Sequence, residues 1–153
     1  DRRGPKNKIR LTYSDELFFV PENIYIIGMM NTADRSLAML DYALRRRFAF
    51  FPLKPSFDST LFKEYQEKVQ STKFDKLIQT VKELNDAISS DDSLGDGFCI
   101  GHSYFCNIDP SELTDARLSG IVEYELIPLL REYWFDEPDT IREWSEKLRS
   151  AIR

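Results

Sequence analysis

The sequence predicts an α/β fold in two parts, in which the end of a parallel β-sheet is followed by an all-helical subdomain. Residues 24–30 are almost continuously apolar, which is typical of a strand covered on both faces. A helical spacing of leucines separates this run from a second short apolar run at residues 48–51. After Pro55 only helical patterns remain. We therefore predict one region at residues 1–55 and a helical subdomain at residues 56–153.

The first region begins with a predicted β-hairpin. Two short apolar runs lie within residues 9–20, and Ser14, Asp15 and Glu16 separate them. Asp15 and Glu16 also resemble an acidic pair that holds magnesium in phosphate-loop enzymes. They do not follow an apolar strand, however, and we interpret them as a turn.

Residues 24–51 read as a strand–helix–strand unit of about the usual ~30 residues. Thr32 or Asp34 is suited to cap the start of the helix, because a short polar side chain can accept a hydrogen bond from the first turn. The run Arg45–Arg47 closes the helix, where cations suit its dipole. The last strand ends at Pro52.

The remainder of the chain is predicted to form several helices. Asp109 precedes Pro110, a pair that is typical of a helix start. Pro128 lies inside an otherwise helical pattern and is expected to kink or split it. The predicted helices cover residues 59–70, 74–90 and 116–134 and a last segment that starts at Pro138.

Composition and charge exclude several classes of function. The 153 residues carry a net charge of −5, with ten Lys and Arg against six Asp and Glu in residues 1–55 and eleven against twenty in residues 56–153. This distribution argues against bulk nucleic-acid binding, although the first region suits a small polyanion. No apolar run approaches the ~18 residues of a membrane span, and two cysteines do not make a disulfide framework. We therefore expect a cytoplasmic protein without a membrane partner.

A polar cluster follows the first predicted strand, at Asn31, Thr32, Asp34 and Arg35. Ligands of α/β folds bind at the carboxyl ends of strands, and Asn31 is placed there to orient a water molecule. The alternative is that Asp34 only caps the helix and that Arg35 is a solvated neighbour. The pattern leaves both readings open.

The arginine run at residues 45–47 also has two readings. Arginine pairs with phosphate in a bidentate way and can stabilise the charge that develops in phosphoryl transfer. The alternative role is compensation of the helix dipole and solubility.

Cys99, His102 and Cys106 have a spacing that resembles that of metal ligands, but His102 is the single histidine and a fourth ligand would have to be a carboxylate such as Asp109. His102 with Ser103 would form a poor nucleophile pair, since adjacent side chains rarely face each other. We favour small buried cysteines beside a hydrogen-bonded histidine and predict no metal site.

Three segments together resemble the McrB family of AAA+ GTPase motors, which act in modification-dependent restriction systems with a separate endonuclease subunit. The resemblance extends from about Ile9 to Trp134. The segments that carry it are residues 23–48, with the Asn-Thr-Ala-Asp block and the triple arginine, residues 97–105 and residues 124–134.

The resemblance implies roles for particular residues. Asn31 matches sensor 1, which senses the γ-phosphate and orients the attacking water. Arg46 and Arg47 match the arginine finger, which reaches the nucleotide of the next subunit. Thr32, Asp34 and Arg35 belong to the signature block beside the nucleotide, and His102 with Ser103 lies where the helical lid approaches it.

The resemblance also implies a larger assembly. It implies GTP and Mg²⁺ as ligands of the complete motor, a ring of motor subunits, an McrC-like endonuclease partner, and DNA contacts through other domains or partners. The chain contains no G-x-x-x-x-G-K-[ST] phosphate loop (Walker A) and no acidic Walker B strand end. We therefore expect the chain alone to hold nucleotide weakly, to keep no cofactor tightly bound, and not to hydrolyse GTP. The alternative is a non-catalytic interaction module derived from an AAA+ fold.

Overall fold

The structure, a computed structural model, describes residues 3–31 and 42–153. The chain divides into two compact units, Asp1–Phe51 and Pro52–Arg153.

The first unit contains the predicted hairpin. Strands β1 (Ile9–Arg10) and β2 (Leu17–Phe18) pair antiparallel, with Ile9 opposite Phe18 and Arg10 opposite Leu17. Asp15 adopts a left-handed φ of 58°, a conformation that Asp tolerates in turns, and closes the connection between the strands. The hairpin and the interpretation of Asp15 and Glu16 as a turn are thereby confirmed. A short 3₁₀ turn, Pro5–Asn7, precedes the hairpin.

The predicted strands at residues 24–30 and 48–51 are not present in the structure. Neither segment pairs as a strand, and their apolar side chains are exposed: Ile27 is 93% exposed and Phe51 85%. A strand forms only where a neighbour accepts and donates its backbone hydrogen bonds, and the two described strands pair only with each other. The predicted α/β sheet is therefore reduced, in the described residues, to one hairpin.

The helix predicted between the two apolar runs is described only at its end. Helix α1 spans Tyr42–Arg45, and residues 46 and 47 form the turn after it. The rest of that predicted helix, with its candidate caps Thr32 and Asp34, lies outside the described residues.

The second unit begins with two helices at the predicted positions. Helix α2 spans Thr60–Val69 and helix α3 spans Thr72–Ser90. The Ser59 and Ser71 hydroxyls each accept a hydrogen bond from the backbone N–H of the third residue that follows, which is the usual N-cap arrangement. Gln70 adopts a left-handed φ of 52°, which ends α2, and α3 begins two residues later.

A connecting region with little regular structure follows α3. It contains a 3₁₀ turn at Asp96–Phe98, the one-turn helix α4 at Ser103–Cys106, and a 3₁₀ turn at Pro110–Glu112. The Asp109 carboxylate accepts the N–H of Ser111, so the predicted start at Asp109 and Pro110 is present, although the helix is only a single turn. The Tyr65 hydroxyl lies 2.8 Å from the Phe105 carbonyl and 2.9 Å from the Ile108 carbonyl, which binds α2 to the C-terminal end of α4 and the residues after it.

Pro128 changes the register of the next helix instead of breaking it. Helix α5 (Asp115–Gly120) continues through a π-helical segment, Ile121–Leu126, into helix α6 (Ile127–Tyr133). Proline lacks an N–H, and its ring crowds the carbonyl four residues earlier. The wider π turn before Pro128, in which Ile127 N–H donates to Val122 O, lets the helix pass this position.

Helix α7, Pro138–Ala151, starts as predicted and packs against α3 and α6. Its apolar stripe buries Trp144 and Leu148 completely or nearly so. Arg149 on this helix forms a bidentate ion pair with Glu123 of the π segment, at 2.6 and 2.7 Å. The fully buried side chains of the unit come from every helix except α2 and include Phe74, Leu77, Leu84, Ile88, Phe105, Leu118, Leu126, Leu130 and Leu148. Among the described residues, no helix is long and apolar enough to cross a membrane.

Candidate functional site

Asn31 is the last described residue before the gap and is exposed at the end of the 24–30 segment. Thr32, Asp34 and Arg35, the other candidates of the polar cluster, lie outside the described residues. The segment before Asn31 is not paired in a sheet among the described residues, so the placement of Asn31 at a strand tip stays a prediction.

Arg45, Arg46 and Arg47 are exposed at the end of α1. They are adjacent, so three guanidinium groups stand within one turn of chain. This arrangement suits contact with an anion outside the unit, which is what a finger requires, and it equally suits the negative end of a helix dipole.

His102 lies in the second unit, in the loop before α4. Its Nδ1 atom accepts the backbone N–H of Ser56 at 3.1 Å. The rings of Phe57 and Phe62 meet the imidazole edge to face, with centroids 6.2 and 6.1 Å away. The predicted hydrogen-bonded histidine is confirmed, and its ring is held by one polar and two aromatic contacts.

A buried asparagine on α3 holds the loop that carries His102. The Asn85 side chain donates to the Ile100 carbonyl at 2.9 Å and accepts the Ile100 N–H at 2.6 Å. Asn85 is only 9% exposed and Ile100 1%. One side chain therefore forms hydrogen bonds with both backbone groups of Ile100. These bonds attach the loop to α3 at a point two residues before His102.

Asn85 is not among the residues predicted from the sequence for a site. A signal existed, since Asn85 follows Leu84 on the apolar face of α3, where a polar side chain needs a partner. The sequence does not identify that partner, because Ile100 is fifteen residues further along the chain.

Ser103, Cys99 and Cys106 lie within four residues of His102 in the sequence. Ser103 is exposed at the first position of α4. Cys99 is half-buried, its Sγ lies 3.6 Å from the Asn85 carbonyl, and burial raises the pKa of its thiol. Both cysteines are free. Within residues 3–31 and 42–153, no three His, Cys, Asp or Glu side chains gather as metal ligands would.

Charged groups line the outer side of the same loop. Lys54 lies 3.0 Å from Asp96, which also accepts the Ser89 hydroxyl. The hydrogen bond from Ser89, followed by that from Lys54, holds the pKa of Asp96 below its ordinary value. Both partners of this pair are exposed, so the ion pair contributes little to stability.

The helices of the second unit show which class of protein the chain resembles. Residues 76–142, which run from α3 into α7, match the family model described as McrB, alpha-helical lid domain. Over 97% of its length, the chain is 47% identical to the Type IV methyl-directed restriction enzyme EcoKMcrB subunit of Escherichia coli (strain K12). It spans 34% of that relative, about a third of its length. The chain is therefore McrB-like over nearly its whole length, and the resemblance drawn from its motifs is confirmed.

Proposed function

We propose that this chain forms part of an AAA+ GTPase motor of a restriction system, in which it supplies sensor 1, the arginine finger and the helical lid. The observation that carries the proposal is the 47% identity to a methyl-directed restriction subunit across both units of the chain. A non-catalytic module derived from the same fold would have no chemical reason to keep Asn31, Asp34, Arg46 and Arg47 together.

Phosphoryl transfer requires positioning and positive charge, and it requires no protein nucleophile. In the proposal, Asn31 orients the attacking water, and Arg46 or Arg47 stabilises the charge of the γ-phosphate on a neighbouring subunit. Thr32, Asp34 and Arg35 line the nucleotide, and His102 with Ser103 approaches it from the lid. The exposure of the arginines supports a role in trans, because a finger must leave its own unit to reach another.

The ligands and partners of the proposal belong to the complete motor. They are GTP with Mg²⁺, further copies of the motor subunit in a ring, and an endonuclease subunit of the McrC type. DNA is contacted through other domains or partners, since residues 56–153 carry nine more acidic than basic residues and would repel a phosphate backbone.

The first test is capture of the native protein from its source cells with an antibody to this chain, followed by its intact mass and its GTPase and ATPase rates. We expect a mass well above 18.0 kDa and GTP-selective turnover, with no turnover by the purified chain. A native protein of 18.0 kDa without turnover would refute the motor.

The second test replaces Arg46 and Arg47 individually by Ala in the complete motor. Loss of an arginine finger lowers turnover by roughly 10³–10⁵-fold. Mixing each variant with wild-type subunits then tests action in trans, and the Arg142→Ala variant, exposed on α7, is the matched control. Undiminished turnover in both finger variants, with assembly intact, would show that neither residue is the finger.

A non-catalytic interaction module is the second candidate, and one observation favours it. Tyr25, Ile27 and Met29 are 85, 93 and 94% exposed. Exposed apolar side chains that lie close together are typical of a protein–protein interaction site. The capture experiment separates the two candidates, because a module would bring down a partner without GTP-selective turnover.

A further inference from the structure

His102 is held so that its two ring nitrogens have different roles. A backbone N–H can only donate, so the Nδ1 atom that faces Ser56 must be unprotonated. The proton of the neutral imidazole is then on Nε2, which becomes a hydrogen-bond donor. None of the described residues accepts a hydrogen bond from Nε2, and the side chain is only half-buried.

The loop that carries this imidazole is bound to α3 by Asn85. The side chain of Asn85 binds both backbone groups of Ile100, and only Gly101 separates Ile100 from His102. Gly101 has no side chain that packs against a neighbour, so Asn85 binds this part of the loop to α3 through Ile100. The chain of contacts therefore runs from Asn85 through Ile100 to His102 and ends at Ser56.

We propose that Asn85 is a positioning residue that acts through His102: it holds the imidazole with Nδ1 on Ser56, so that Nε2–H is presented as a donor to a phosphate oxygen. The ligand part rests on the proposed GTPase function. The positioning part rests only on the contacts within residues 52–153.

The positioning part is tested by NMR on the ¹⁵N-labelled chain. His102 is the single histidine, so its ring nitrogens give unambiguous signals. We expect a scalar coupling across the hydrogen bond between the Ser56 amide nitrogen and Nδ1. In the Asn85→Ala variant we expect this coupling to disappear and exchange of the Ser56 amide to accelerate about tenfold, the order expected for loss of one hydrogen bond.

Two further variants distinguish positioning from general destabilisation. Ser71→Ala removes the N-cap of the same helix, α3, and is expected to retain the coupling. His102→Phe keeps a ring against Phe57 and Phe62 but removes the acceptor, so adding Asn85→Ala to it should accelerate Ser56 exchange no further. If Asn85→Ala does not fold, Asn85→Asp keeps the acceptor for Ile100 N–H, removes the donor, and gives the same readout.

Three results would overturn the positioning role: a coupling that survives in Asn85→Ala, an equal loss in Ser71→Ala, or additive acceleration in the double variant. The ligand part is tested in the complete motor, where Asn85→Ala and His102→Phe should each raise KM for GTP and the double variant should raise it no further. Unchanged KM values would refute the ligand part. Absence of GTP turnover by the wild-type motor would refute the proposed function and leave the NMR result standing.

Discussion

Replacing Phe74 by Ala should remove much of the stability of the second unit. Phe74 is fully buried on α3, and its ring lies 6.4 Å from that of Phe62, 6.0 Å from Tyr65 and 6.2 Å from Phe105. Truncation of a buried Phe to Ala costs about 3–5 kcal/mol. Each aromatic contact adds roughly 0.5–1.5 kcal/mol beyond the buried area, which favours the upper end of that range.

The expected loss of stability in the Phe74→Ala variant is large compared with the free energy of unfolding of a whole domain. Domains are stabilised by on the order of 5–15 kcal/mol, so the Phe74→Ala variant should retain only a fraction of its free energy of unfolding. The consequence reaches the candidate site, because Phe62 packs on both Phe74 and the His102 imidazole.

The assay is urea unfolding of the chain, followed by circular dichroism and by tryptophan fluorescence. Trp134 and Trp144 are 3% and 9% exposed and both report on the second unit. Phe135→Ala is the matched control, since Phe135 is 80% exposed and its truncation should change stability by no more than about 0.5 kcal/mol. A loss below about 2 kcal/mol for Phe74→Ala, or an equal loss in both variants, would refute the packing argument.

Two further predictions concern single contacts. The Arg149 hydrogen bonds hold the pKa of Glu123 below its ordinary 4.5, so the stability they contribute is present above that pH and is lost as the pH falls through the lowered pKa. The Glu123→Gln variant should therefore be less stable than wild type at pH 7 by up to about 1 kcal/mol, and the two stabilities should converge in acid. A difference in stability that stays constant between pH 7 and pH 3 would contradict this prediction. Tyr65→Phe leaves two carbonyls around α4 without their donor and should cost about 1–3 kcal/mol in urea unfolding, whereas Tyr124→Phe, at an 82% exposed position, should cost nothing measurable.

The helical unit was predictable from local patterns. Ser59 and Ser71 precede apolar stripes at helical spacing, and the structure begins α2 and α3 one residue after each. Pro138 likewise starts α7. Caps and stripes act within a few residues, so the sequence alone contains the information that sets them.

The strand predictions were wrong for a reason that is not local. Residues 24–30 have the composition of a buried strand, but a strand needs hydrogen-bonding neighbours that the pattern of the segment does not supply. The π segment before Pro128 is a second example. The proline predicted that the helix would be disturbed at this position, but it did not predict that the disturbance would be a π turn.

By itself, the sequence determined the McrB-like class of the chain and the positions of helices α2, α3 and α5 to α7, and it proposed the candidates Asn31, Arg46, Arg47 and His102. Residue types, spacing and motif order are properties of the chain and are read without coordinates. Only the tertiary structure decided that Asn85 holds Ile100 and that His102 accepts from Ser56. Those contacts join residues 15 and 46 positions apart, and packing of the helical core, which no local pattern encodes, brings them together.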